Sequence, residues 1–310
     1  MTRHEFLQFL HTLAAPRTYL EIGINTGKSL TLARAPSIGI DPAPKIQMPI
    51  TADAQIVKET SDAFFARADP LAHFRTEPRN PLSRLLRGRS PFSPPSETPL
   101  IDLAFIDGLH LFEFALRDFM NVERHTAWTS VIVFDDALPR NVDEAARDRH
   151  TKMWAGDVYK VGPVLREHRP DLVVLPMNTA PTGLLVVLGA DPGNGALQSA
   201  YDGLLEQWAT PDPQDVPGEI LRRERAIDPQ RFVDSPILPL LVRHREAGTS
   251  RADGIAELRE AAATLASWAG GYSSPMSSFQ SCGLASMNAR ISSTHSRESR
   301  LTTSTPRLRR

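Results

Sequence analysis

The chain has almost no cysteine. Its 310 residues include one, Cys282, which excludes an internal disulfide framework and any multi-cysteine zinc site. Long apolar runs are missing too: none approaches the roughly 20 residues of a membrane-spanning helix. The opening Met1-Thr2-Arg3-His4-Glu5 lacks the apolar core of a signal peptide, so a cytoplasmic location with no membrane partner is expected. Net charge is low, −1 at pH 7, but this hides an asymmetry. From Gly271 onward there are six arginines against one acid, Glu298, so the tail carries about +5 and the body about −6. An acidic body argues against a nucleic-acid-binding surface. What is present, 41% hydrophobic residues, suffices for the core of one large α/β domain with an appendage.

Apolar runs with two distinct periods alternate along the first 190 residues. Phe6, Leu7, Phe9, Leu10 and Leu13 recur at helical spacing over 3–14, and Pro16 ends that run. Short strands are predicted at 18–22, 37–41, 54–59, 101–106 and 130–134, with helices near 26–35, around Phe64 and Phe65, after Gly108 and over 156–168. Two late strands, 171–176 and 183–188, flank a hairpin at Pro181-Thr182. This is the pattern of a doubly wound, mostly parallel sheet with an antiparallel terminal hairpin.

The first two strands each end in an acid. Tyr19-Leu20-Glu21-Ile22-Gly23-Ile24-Asn25-Thr26-Gly27 is a buried strand running into a glycine-spaced turn, and Ile38-Gly39-Ile40-Asp41 is a second apolar run closing on a carboxylate. In open α/β sheets, ligands bind outside the carboxyl ends of the strands. A phosphate-binding P-loop needs a glycine where Ile22 stands, and the dinucleotide fingerprint needs one where Asn25 stands. The Glu-x-Gly-x-x-x-Gly run instead resembles the first motif of the class I S-adenosylmethionine-dependent methyltransferases. That resemblance covers about residues 1–190 and implies a seven-stranded Rossmann-like sheet. It also implies S-adenosylmethionine bound by Glu21, Gly23, Asn25, Thr26 and Gly27, with Asp41 accepting from the ribose hydroxyls. Ser61 and Asp62, after the third strand, fall where the family contacts adenine, although a helix cap explains them equally well.

Strand four ends Phe105-Ile106-Asp107-Gly108-Leu109-His110, and strand five ends Val133-Phe134-Asp135-Asp136. Three carboxylates on one rim repel unless a cation offsets them, and Mg²⁺ takes oxygen ligands while keeping positions open. Asp107, Asp135 and Asp136 are the expected metal ligands, and Asp107 is also expected beside the cofactor. The set resembles the metal-dependent O-methyltransferase branch, and Asp-Gly-x-His looks most like the macrolide-sugar methyltransferases. The resemblance implies His110 as general base and a small hydroxylated acceptor, such as a sugar or other natural product. Alternatives are a metal-independent enzyme of the same fold, a non-catalytic cofactor-binding or scaffold protein, and, more remotely, a nucleotide triphosphatase.

Three regions are expected: a methyltransferase domain over 1–190, a helical extension over 191–270 serving as a cap or homo-oligomer contact, and a disordered tail over 271–310. Fifteen of the last forty residues are Ser or Thr, too few apolar groups to offset the entropy of ordering. Residues 78–99 hold six prolines and four arginines and read either as a basic flap over the site or as a solvated insertion.

Overall fold

Seven strands form one sheet in the order β3-β2-β1-β4-β5-β7-β6. They are β1 (Tyr19–Ile22), β2 (Ser37–Ile40), β3 (Ala54–Val57), β4 (Ile101–Ile106), β5 (Thr126–Phe134), β6 (Val173–Met177) and β7 (Leu184–Leu188). The computed structural model describes residues 1–75 and 99–267; the expected flap, apart from Pro99, and the expected tail lie outside them. β1 to β5 pair in parallel, and β7 runs antiparallel to both β5 and β6. The doubly wound, mostly parallel sheet with its antiparallel hairpin is as the sequence predicts. β1, β2, β4 and β7 are buried along their whole length, as apolar strands covered on both faces must be.

The register sets the site. Ile22 lies opposite Ile40 on one side and Ile106 on the other, and Ile106 lies opposite Phe134. Gly23, Asp41, Asp107 and Asp135 therefore each stand one residue past their strands, side by side along one edge.

One face of the sheet is covered by α2 (Ser61–Phe65), α3 (Phe112–Glu123), α4 (Val161–His168) and α5 (Ala196–Trp208), through Phe64, Phe112, Leu116, Phe119, Leu165 and Leu204. On the opposite face, α1 (Arg3–Leu13) packs Phe6, Leu7 and Leu10. The helix expected from Thr26 to Ala35 on this face does not form, and only a 3-10 turn, Leu30–Leu32, remains. Asn25 and Gly27 take φ of 41° and 80°, which breaks a helical path at its start. The carbonyls of Asn25 and Thr26 accept from the amides of Lys45 (2.7 Å) and Gln47 (3.0 Å) in the loop after β2, instead of from a following turn.

The C-terminal segment fills the space. After α6 (Gly218–Leu221) come α7 (Pro229–Val233), α8 (Ile237–Ala247) and α9 (Arg251–Ser267). They lie within the helical extension expected over 191–270, where Pro229, Pro236 and Pro239 break the periodicity that would mark α7 and α8 in the sequence. In the fold, Pro229 and Pro239 sit in the first turns of α7 and α8, where proline is tolerated. Phe232, Ile237, Leu238, Leu241, Leu258 and Leu265 pack with α1 and the sheet in one core. These apolar residues are part of the chain's own core. β5 is longer than the expected 130–134. Its added end carries Trp128, whose indole N–H donates to the Thr249 carbonyl at 2.8 Å.

Candidate active site

A cavity of about 590 Å³ opens at the C-terminal edge of β1, β2 and β4, within the size range of small-molecule sites. Gly23 is in its floor at φ +85°, and a Cβ there would fall 1.8 Å from the Asp107 carbonyl oxygen, so only glycine lets the two strand ends pass this closely. Asp41 lines the wall. Its carboxylate accepts from the Asn25 amide at 2.8 Å and the Ala43 amide at 2.7 Å, which fixes its direction and leaves acceptor capacity toward the cavity.

The other expected cofactor contacts divide. Asn25, Ser61, Asp62 and Asp107 line the cavity; Glu21, Thr26 and Gly27 do not. Loop residues 45–47 cover Thr26 and Gly27, with Ile46 3.0 Å from where a Gly27 Cβ would be. Glu21 is fully buried beneath the floor, where the Tyr19 hydroxyl (2.8 Å) and the Ser29 hydroxyl donate to it. Burial pushes its pKa up to about 8, against those two hydrogen bonds. Asp62 is held by Arg117 at 2.8 Å. Ser61 donates to Asp118, a buried cavity acid that sequence reasoning missed. Burial pushes Asp118 up to about 7, with the Ser61 hydrogen bond opposing. Its mid-helix position at α3 carried no signal.

The charged centre differs from expectation at Asp135. This side chain is 2% exposed and forms an ion pair with Arg3, and among the described residues it is not one of the clustered ligand groups. Arg3 also lies 3.6 Å from Asp107. It arrives because Thr2 and Arg3 bridge to Ala180, a contact no local pattern announces. Asp136, at φ +59°, instead meets His110. His110 stands between two carboxylates, with Nε2 3.2 Å from Asp107 Oδ1 and Nδ1 3.1 Å from Asp136 Oδ2. Ligand atoms of Asp107, His110 and Asp136 lie within 4.8 Å of one another. The metal-capable triad is thus Asp107, His110 and Asp136, in place of Asp107, Asp135 and Asp136. Two carboxylates and an imidazole fit a divalent cation, although Mg²⁺ favours oxygen more strictly than this set supplies.

His110 is also more than a neutral imidazole here. Burial disfavours its charge, but the Asp107 hydrogen bond and the charges of Asp136 and Asp107 outweigh burial and raise its pKa to about 9. Burial pushes Asp136 up to about 6, opposed by the His110 charge. Nδ1 also faces the Trp154 carbonyl at 2.9 Å. A carbonyl only accepts, so Nδ1 keeps its proton and Nε2 is the basic nitrogen.

Trp154 was not anticipated as a site residue. Its ring stacks on His110, 5.0 Å between centres at 20°, and its indole N–H donates to the Ala146 carbonyl at 2.6 Å. The loop that carries it is tied down: the Ala155 and Gly156 amides donate to the Glu144 carbonyl at 2.9 Å, and Arg147 bridges Glu113 and Asp157.

Residues 20–137 match the family model described as a methyltransferase domain. That span holds Gly23, Asp41, Asp107, His110 and Asp136. No curated protein matches the chain. Among solved structures, the chain is similar to the SAH-bound methyltransferase PaMTH1 of Podospora anserina, with 13% identity, 61% of this chain and 78% of that one covered, and TM-score 0.41. It is also similar to the SAH complex of a Bacillus cereus O-methyltransferase (12%, 60% and 80%, 0.38). A third is the SAM complex of TomG, an O-methyltransferase of Streptomyces achromogenes involved in tomaymycin synthesis (14%, 61% and 80%, 0.38). No helix among the described residues is long and apolar enough to cross a membrane.

Proposed function

We propose that the protein, whose residues 20–137 match a methyltransferase-domain model, is a cytoplasmic enzyme that transfers the methyl of S-adenosylmethionine to a hydroxyl of a small molecule. The observation that carries this reading is one cavity lined by Gly23, Asp41, Asp107 and His110 together. Bound there, S-adenosylmethionine supplies a methyl on a cationic sulfur, already a good leaving group. Asp41 would accept from the ribose hydroxyls, and Ser61, Asp62 and Asp118 would face the adenine end. The chain must then align the acceptor oxygen, which in favourable cases offsets roughly 7–11 kcal/mol of barrier, and remove its proton. His110 Nε2 takes that proton while Nδ1–H stays on the Trp154 carbonyl. Asp107 and Asp136 would hold Mg²⁺, which when bound would lower the acceptor pKa and offset the carboxylate charge that otherwise keeps His110 protonated.

A second reading has its own observation. Arg3 already neutralises Asp135 and approaches Asp107, so the centre is compensated by side chains alone, as a metal-independent enzyme requires. Methyl transfer to a panel of hydroxylated acceptors, followed by SAH formation with Mg²⁺ or with excess chelator, separates the two. Activity lost in chelator and restored by Mg²⁺ supports the first reading, and activity unchanged in chelator supports the second. On the metal-assisted reading His110→Ala lowers turnover by about 10²–10⁴-fold while SAH affinity holds. An alanine variant with near-full turnover removes the base from the account.

A further inference from the structure

The charges around the cavity are segregated. Asp41, Glu59, Asp62 and Asp118 wall the side formed by the ends of β2, α2 and α3. This is the side that suits a cofactor bearing a cationic sulfur. The opposite wall is the loop after β5, which presents Arg149, Lys152, Met153 and Trp154. Among the described residues neither Arg149 nor Lys152 has a carboxylate partner, whereas Glu59 is paired with Arg67 and Asp62 with Arg117. Arg149 instead lies over Trp154, its guanidinium carbon 5.8 Å from the ring centre, and Trp154 in turn stacks on His110. The three side chains form a column from the solvent edge to the base.

We propose that the acceptor is a hydroxylated ring bearing a carboxylate or phosphate, its anion bound by Arg149 and Lys152 while its hydroxyl faces His110. This rests on the methyltransferase reading above and adds the substrate class. A guanidinium stacked on an aromatic face keeps its N–H fork free for an anion. The tied loop holds that fork in place before substrate arrives, which lowers the ordering cost of binding.

The test measures SAH formation from protocatechuate, glucuronate and phosphorylated glucose against the methyl esters of the two acids and against glucose, with SAH affinity measured in parallel. The wild type is expected to use at least one anionic member with kcat/KM about tenfold or more above its neutral counterpart. The Arg149→Ala/Lys152→Ala double variant is expected to lose that preference through KM, with kcat and SAH affinity retained. Both residues are exposed, so the variant should fold. Equal or better use of the neutral members, no use of any anionic member by SAH-binding protein, or an unchanged KM in the variant would each overturn the proposal. A variant that loses SAH affinity but keeps the acceptor preference would assign the pair to the carboxylate of the cofactor. Wild type that does not bind SAH at all overturns the methyltransferase reading itself, and this inference with it.

Discussion

Gly23 has no room for a side chain. An alanine there would meet the Asp107 backbone and hold φ +85°, a conformation that alone costs roughly 1–3 kcal/mol. Gly23→Ala should lower the melting temperature and abolish SAH binding in calorimetry; unchanged binding would place the cofactor elsewhere. Arg3→Ala leaves the buried Asp135 carboxylate without its counter-charge, at roughly 1–3 kcal/mol. Adding Asp135→Asn should recover most of that loss. Strictly additive effects in urea unfolding would show that the pair is not coupled. Glu21 gives a pH signature. Its folded pKa of about 8 lies above its ordinary 4.5, so the unfolded chain releases the proton first as pH rises. Its stabilising contribution is complete below about 4.5 and is lost between there and about 8, by about 1.4 kcal/mol per pH unit within that window. Glu21→Gln should flatten the stability profile there, and a variant that keeps the wild-type slope would refute the burial argument. The acids that end β1, β2, β4 and β5 were legible because each closes an apolar run. Their partners were not: Arg3 reaches Asp135 across more than a hundred residues of sequence, and only tertiary packing shows that Asp135 pairs with Arg3 while Asp136 meets His110.

At the scale of elements, every strand was legible, since short apolar runs between turn residues leave little choice. The helix after β1 was not correctly foreseen. Its residues have adequate propensity, but positive φ at Asn25 and Gly27 and the loop that bonds their backbone override it. The face left open is closed by α7, α8 and α9, and the closure can be tested at Gly254. A Cβ there would lie 2.3 Å from the Trp128 ring on β5. Gly254→Ala gains helix propensity, yet overpacking typically costs about 1–3 kcal/mol, so net destabilisation with an altered Trp fluorescence spectrum is expected. A stabilised variant with an unchanged spectrum would mean that α9 does not press on the sheet.

For the whole molecule, the parallel register brings Gly23, Asp41 and Asp107 to one edge, the N-terminal arm adds Arg3, and the loop after β5 adds Trp154 with its cations. The result is one cavity, acidic on the side of the proposed sulfonium cofactor and basic on the side of the proposed anionic acceptor, with His110 in its lining. Calorimetric titration of wild type and Asp41→Ala with SAH tests the central claim most directly. Micromolar binding by the wild type and a loss of tenfold or more in the variant, about 1.4 kcal/mol or above, are expected. No binding by the wild type, or equal binding by both, would contradict it.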